Sequence, residues 1–199
     1  KYVLNNKMLW FVAFANAFVY FIRYGVQDWA PTYLTEVKGY TQGEVSNAYT
    51  YYELAAIPGT LLCGWVSDKI FKGKRAMTTI IFMLFVIVAI IVYWQNPYNK
   101  LVDSIALTSI GFFIYGPVML IGVQALDLAP KNAAGTAAGL TGFFGYFIGT
   151  SLLANIVMGK VVEAYGWSAS FELLVGSGVL AIILMGFTYK KEQNLDKNN

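Results

Sequence analysis

The run MLWFVAFANAFVYFIRYGVQDWAPTYL, residues 8–34, decides the fold. A hydrocarbon core of about 30 Å needs about 20 mostly apolar residues in a helix, and this run has that length. It reads as a transmembrane helix with a cation, Arg23, inside it. At about 1.5 Å per residue, Arg23 lies roughly 20 Å from Trp10 and roughly 15 Å from Tyr33, too deep to snorkel to either surface. An arginine at the centre of a membrane helix costs about 2.5–3.5 kcal/mol on insertion scales, and each leucine returns only about 0.3–0.6. Arg23 must therefore face protein or a water-filled cavity. Asn16, Tyr20, Arg23 and Gln27 recur at helical spacing and share one polar stripe, as a cavity wall requires.

Working outward, further apolar runs cover residues 45–66, 76–94, 103–126, 133–158 and 168–189, joined by short polar connections. Hydrophobic residues make up 57% of the chain and charged residues 13%, against about 25% charged in a soluble domain. The expectation is an all-α membrane protein: one transmembrane domain over residues 1–199, six helices at about 8–34, 45–66, 76–94, 103–126, 133–158 and 168–189, consecutive helices antiparallel. The chain starts at Lys1 on a segment too long for a signal-peptide core, and reads as a fragment. Its one cysteine, Cys63, lies in an apolar run and it has no histidine. That leaves no basis for a disulfide framework, zinc site or histidine-based catalysis. With no nucleophile and base paired in the spans, neither an enzyme, a metal, a cofactor nor a nucleic-acid partner is expected.

Lys1, Lys7, Lys69, Lys72, Lys74, Arg75, Lys131, Lys190, Lys191 and Lys197 fall at one membrane face, and Lys38, Lys100 and Lys160 at the other. By the positive-inside rule the first face, with both ends of the chain, is cytoplasmic. Trp10, Trp65, Trp94 and Trp167 fall at span ends, as interfacial tryptophans do; Trp29 fits less neatly. Six helices can fold as two inverted groups of three. Gly135, Gly139, Gly142, Gly145 and Gly149 step along the fifth helix and read as a smooth packing face. Gly116 and Pro117 mark an expected kink in the fourth.

Glu53, in the second helix, lies at a depth close to that of Arg23. Two readings stay open: a structural ion pair joining the helices, or an anion site at Arg23 for which Glu53 or Asp28 competes when substrate is absent. The planar donor fork of arginine matches phosphate or carboxylate oxygens. Tyr115 and Tyr146, near the middle of their spans, either donate into the same cavity or simply pack.

Between the second and third helices stand Gly64, Asp68, Lys69, Gly73, Lys74 and Arg75, spaced as in the major facilitator loop signature. Gly64 there allows close helix approach, and Asp68 can accept from a helix end or a basic side chain. The stretches FVYFIRYGVQDW (18–29), IPGTLLCGW (57–65), YGPVMLIG (115–122) and LAPKNAAGTAAG (128–139) resemble the bacterial organophosphate:phosphate antiporters of that superfamily, nearest to its glycerol-3-phosphate carriers. The resemblance implies the C-terminal half, helices seven to twelve, of a twelve-helix inner-membrane transporter built from two inverted three-helix repeats. It implies exchange of glycerol 3-phosphate, or a related organophosphate, for inorganic phosphate by alternating access. It also implies that Arg23 is one of two arginines on the phosphate, the other belonging to a missing N-terminal six-helix half. Tyr20, Tyr115 and Tyr146 then stand near substrate with Gln27 on the same stripe, and Asp28 and Glu53 serve inter-helix salt bridges that couple binding to movement. The alternative is a membrane sensor of organophosphate built on a transporter-like body.

Overall fold

The computed structural model describes residues 2–97 and 99–196; Lys1, Lys197 and the side chain of Lys191, all assigned to the basic face, lie outside the described residues. After a short helical turn, Tyr2–Asn5, come α1 (Lys7–Glu36), α2 (Gln42–Trp65), α3 (Arg75–Gln95), α4 (Lys100–Asp127), α5 (Lys131–Tyr165) and α6 (Trp167–Asp196). A π-helical turn, Val66–Ile70, prolongs α2, and the middle of α5, Phe144–Val157, is wound as a wider π-helix. Where the sequence suggests an end at Met158, α5 runs on to Tyr165, and Gly166 breaks it with φ +79°. Side chains cap three starts: Asn6 accepts from Met8 N, Asn99 from Leu101 N, and Thr41 and Glu44 form a capping box. Such caps contribute about 1 kcal/mol each.

Among the described residues, five of these helices are long and apolar enough to cross a membrane, and α2 is not among them. Its length suffices, but Ser46, Asn47, Thr50, Tyr51, Tyr52 and Glu53 lower its hydropathy. That polar load marks a helix that meets more than lipid.

The broadest contacts are α2 with α4, α1 with α5, α3 with α4, α1 with α6, and α3 with α6, with α1 also meeting α4. Exchanging α1 for α4, α2 for α5 and α3 for α6 maps this contact pattern onto itself. The six helices are thus two three-helix groups in pseudo-symmetric arrangement, the inverted repeat expected from their number and antiparallel order. α1 and α4 are central, α3 and α6 close one side, and α2 and α5 flank the other.

α2 and α4 approach to backbone contact. A Cβ on Gly59 would overlap the Phe112 carbonyl oxygen, and one on Gly111 would overlap the Tyr52 carbonyl oxygen. Small residues are what let membrane helices come this close. The fifth-helix glycines divide differently from the single smooth face expected: Gly145 and Gly149 press on α1, while Gly135, Gly139 and Gly142 face open space.

At one end of the bundle, Asn6 Nδ2 donates to Leu128 O (3.3 Å), Arg75 pairs with Asp127 (3.4 Å) and Phe11 stacks on Phe187 (5.6 Å). The start of α1, the α2–α3 loop, the end of α4 and the end of α6 therefore lie together. At the other end Lys38 is buried against Asp103, with side chains 2% and 1% exposed. Lys38 Nζ also donates to Asn96 O (3.0 Å) and Tyr93 O (3.3 Å), and Asp103 accepts from Tyr40 Oη (2.7 Å) and Asn96 Nδ2 (2.8 Å). Lys38, read from sequence as a loop charge, is instead the centre of a buried network joining the α1–α2 loop to α3 and α4. Nearby, Lys100 and Thr41 hold the Glu44 carboxyl down at about 2, chiefly through the Lys100 ion pair at 2.5 Å.

Candidate functional site

Arg23 projects from the middle of α1 between α2, α4 and α5. Its guanidinium lies over the Tyr115 ring at 4.3 Å and the Tyr24 ring at 4.7 Å. Cation–π contacts of this kind stabilise by about 0.5–2 kcal/mol according to how far they are desolvated. Its buried Nε has no hydrogen-bond partner among the described residues. Among the described residues no carboxylate lies within 4 Å of it.

Glu53 instead accepts a hydrogen bond from Tyr115 Oη at 2.8 Å. Asp28 is exposed and, like Glu53, makes no ion pair with Arg23 in this structure. Of the two open readings, the direct Arg23–Glu53 pair is absent here because Tyr115 stands between them, its ring on the cation and its hydroxyl on the anion.

Aromatic rings extend the site to both sides. Tyr20 meets Tyr146 edge-on at 5.0 Å and Tyr24 at 5.9 Å, and Tyr24 lies 6.5 Å from Tyr146. On the other side Tyr52 meets Tyr115 at 6.1 Å and Tyr49 at 6.3 Å, and Tyr49 Oη accepts from Gln27 Nε2 at 2.9 Å. Tyr52 Oη donates to the Arg23 carbonyl at 3.5 Å, a long bond across α1 and α2. The structure thus gathers Arg23, Tyr20, Tyr115, Tyr146, Gln27 and Glu53 around one face, and adds Tyr24, Tyr49 and Tyr52, which the sequence reading missed. The signal was there in Tyr49, Tyr52 and Glu53, which share a helical face of α2. Arg23, Tyr20 and Gln27 are half-buried, and Tyr146 is 56% exposed. At one edge, between α1, α2 and α4, a cavity of ≈ 10 Å³ is lined by Gln27, Tyr49 and Tyr52, about the room one water needs.

Asn16 shares the stripe in sequence but not its exposure: it is 4% exposed, and Nδ2 donates to Thr141 O on α5 at 2.8 Å. Trp29 is no interfacial anchor, since its indole N–H donates to Ala154 O on α5 at 2.8 Å.

In the loop signature, Arg75 Nη1 donates to Asp68 at 2.5 Å and Ser67 Oγ at 3.1 Å, while Nε reaches Asp127 at 3.4 Å. Arg75 so ties the α2–α3 loop to the end of α4. Gly73 has φ +84°, which a side chain would strain, and the preceding Lys72 is also left-handed at +52°. Gly64 serves no close approach, because a Cβ there would meet only Met119 Cε at 3.5 Å. Lys69 is exposed.

The face around Arg23 offers a half-buried, planar donor fork with phenolic and amide hydrogen-bonding groups around it, which suits an anion with several oxygens. A family model described as Major Facilitator Superfamily matches residues 1–154. The chain is 61% identical to the glycerol-3-phosphate transporter of Bacillus subtilis over 95% of its own length and 43% of that protein's. It is 33% identical to the hexose-6-phosphate:phosphate antiporter of Salmonella typhimurium over 97% of its length and 42% of that protein's. It therefore spans about two fifths of the curated relatives it matches. Among solved structures, the POT family transporter PepTSo superposes with a TM-score of 0.79 at 17% identity, over 92% of this chain and 37% of that one. At that identity the likeness is one of fold.

Proposed function

The chain belongs to the major facilitator superfamily, and on that premise we propose that it is one half of a secondary transporter that exchanges glycerol 3-phosphate, or a related organophosphate, for inorganic phosphate by alternating access. The observation that carries this reading is Arg23: a cation inside a spanning helix, with no carboxylate partner among the described residues, on a half-open face ringed by tyrosines. Burying an uncompensated charge is costly, and a bound phosphate supplies the missing counter-charge. A second six-helix half closes over the same face and contributes further donors. Tyr20, Tyr115, Tyr146 and Gln27 line the bound anion. In a conformation other than this one, Glu53 and Asp28 serve as alternative partners for Arg23, which couples binding to movement. A ligand shifts such an equilibrium only by its difference in affinity between the states.

Arg23→Lys keeps the charge and loses the fork. Phosphate counterflow in liposomes carrying the full-length protein is expected to fall about 10- to 100-fold, the scale of one charge-assisted bond. Normal counterflow in that variant refutes the anion site. Organophosphate binding without flux in the wild type favours the sensor reading instead.

The bundle end that carries Lys7, Lys69, Lys72, Lys74, Arg75, Lys131 and Lys190 is proposed to face the cytoplasm, with the bacterial inner membrane as the location. Labelling of a cysteine placed at Lys72 by an impermeant reagent, added outside intact cells, contradicts this orientation.

A further inference from the structure

Two side chains of α1 reach the backbone of α5 at the two ends of its π-helical stretch, Phe144–Val157. Asn16 Nδ2 donates to Thr141 O, just before the stretch, and Trp29 Nε1 donates to Ala154 O, near its far end, each at 2.8 Å. A π-wound segment steps back five residues where the α-helix steps back four, so a carbonyl is passed over where π returns to α: Met158 N donates to Leu153 O, and Ala154 O stands at that change. Inside the stretch, Thr150 Oγ1 and Ser151 Oγ donate five residues back, to Gly145 O (3.3 Å) and Tyr146 O (3.1 Å). Between the two clamps, α5 is pressed onto α1. A Cβ on Gly145 would stand 2.7 Å from Asn16 Nδ2 and 3.1 Å from the Tyr20 ring, and one on Gly149 would overlap the Ala17 carbonyl.

Tyr146 follows Gly145 directly, and its ring meets Tyr20 at 5.0 Å and lies 6.5 Å from Tyr24, the ring under the Arg23 guanidinium. A slip of one residue toward α-helical register turns the side chains beyond it by about 100°. That rotation carries the Tyr146 ring off Tyr20 and Tyr24.

We propose that Asn16 and Trp29 are positioning residues: by donating to the Thr141 and Ala154 carbonyls they hold α5 in its π-helical register, and that register sets Tyr146 against Tyr20 and Tyr24, the tyrosines that flank Arg23 on α1. The proposal rests on the reading of Arg23 as an anion site, and its test separates the two. Asn16→Leu and Trp29→Phe each remove a donor while filling similar space. In full-length protein, hydrogen–deuterium exchange of the peptides covering residues 144–157 is expected to rise about tenfold in either variant, and more in the double variant, with the rest of the bundle unchanged. In liposomes the KM for glycerol 3-phosphate is expected to rise about tenfold while the rate at saturation stays within about twofold. Wild-type protection of 144–157 in both variants overturns the proposal, even where Arg23→Lys is inactive. Loss of protection with an unchanged KM, or a raised KM with full protection, overturns it too, because the register is then not what places Tyr146. If Arg23→Lys exchanges normally the anion reading falls, and the protection measurement alone decides whether Asn16 and Trp29 hold the register.

Discussion

Tyr115 is the residue on which the site turns, because it touches both charges: its ring faces the Arg23 guanidinium at 4.3 Å and its hydroxyl is given to Glu53 at 2.8 Å. A carboxylate in a half-buried position needs donors, and one that loses its donor seeks another. Tyr115→Phe keeps the ring over the cation and frees the carboxylate. Glu53 is then expected to compete with the anion for Arg23, raising the KM for glycerol 3-phosphate by about three- to tenfold. An unchanged KM in counterflow would mean that Glu53 does not reach Arg23. Arg23 itself was legible from its depth in residues 8–34, since the cost of a membrane charge is a property of position along one helix. Its neighbour Tyr24 was not, because tyrosine in an apolar helix reads equally as packing.

At the scale of elements, α2 shows how the bundle sets the site. Gly59 and Gly111 let α2 and α4 touch backbone to backbone, with Gly111 under the Tyr52 carbonyl and so one residue from Glu53. The helix separation that places Tyr52 and Glu53 is therefore set by hydrogen atoms. Gly111→Ala puts a methyl group into the Tyr52 carbonyl, and the helices must part. A cost of about 1–3 kcal/mol is expected, as for overpacking elsewhere, read as a lower unfolding temperature of the purified full-length protein. An unchanged temperature would show that α2 yields freely. The low hydropathy of α2 has a different origin, since Ser46, Asn47, Thr50 and Tyr51 stay exposed on this bundle while Tyr52 turns into it.

At the scale of the whole molecule, the two ends of the bundle are built differently. One is tied by surface contacts, among them Arg75 with Asp68 and Asp127, side chains 60% and 57% exposed. Exposed pairs contribute about 0–1 kcal/mol. The other is pinned by Lys38 and Asp103, buried with Tyr40 and Tyr93 and hydrogen-bonded to Asn96, across the α1–α2 and α3–α4 connections. Removing one partner of a buried pair leaves a bare charge, at about 3–5 kcal/mol, whereas removing both leaves none. Lys38→Met and Asp103→Leu alone are thus expected to destabilise the protein strongly, and the double variant to recover much of the loss in thermal unfolding. Additive losses would sink the idea that charge pairing holds this end.

The sequence by itself determined the membrane class, the antiparallel order of the helices, the basic end and the depth of Arg23. Each follows from the length of an apolar run or the place of a charge along one segment, and the bilayer reads those locally. Only the tertiary structure decided what surrounds Arg23, that Trp29 and Asn16 serve α5, that Lys38 is buried on Asp103, and which glycines pack. Those facts depend on how each helix is rotated and where it crosses its neighbours. In a membrane the lipid-facing and protein-facing sides of a helix are both apolar, so the pattern of residues along it does not say which side meets which partner.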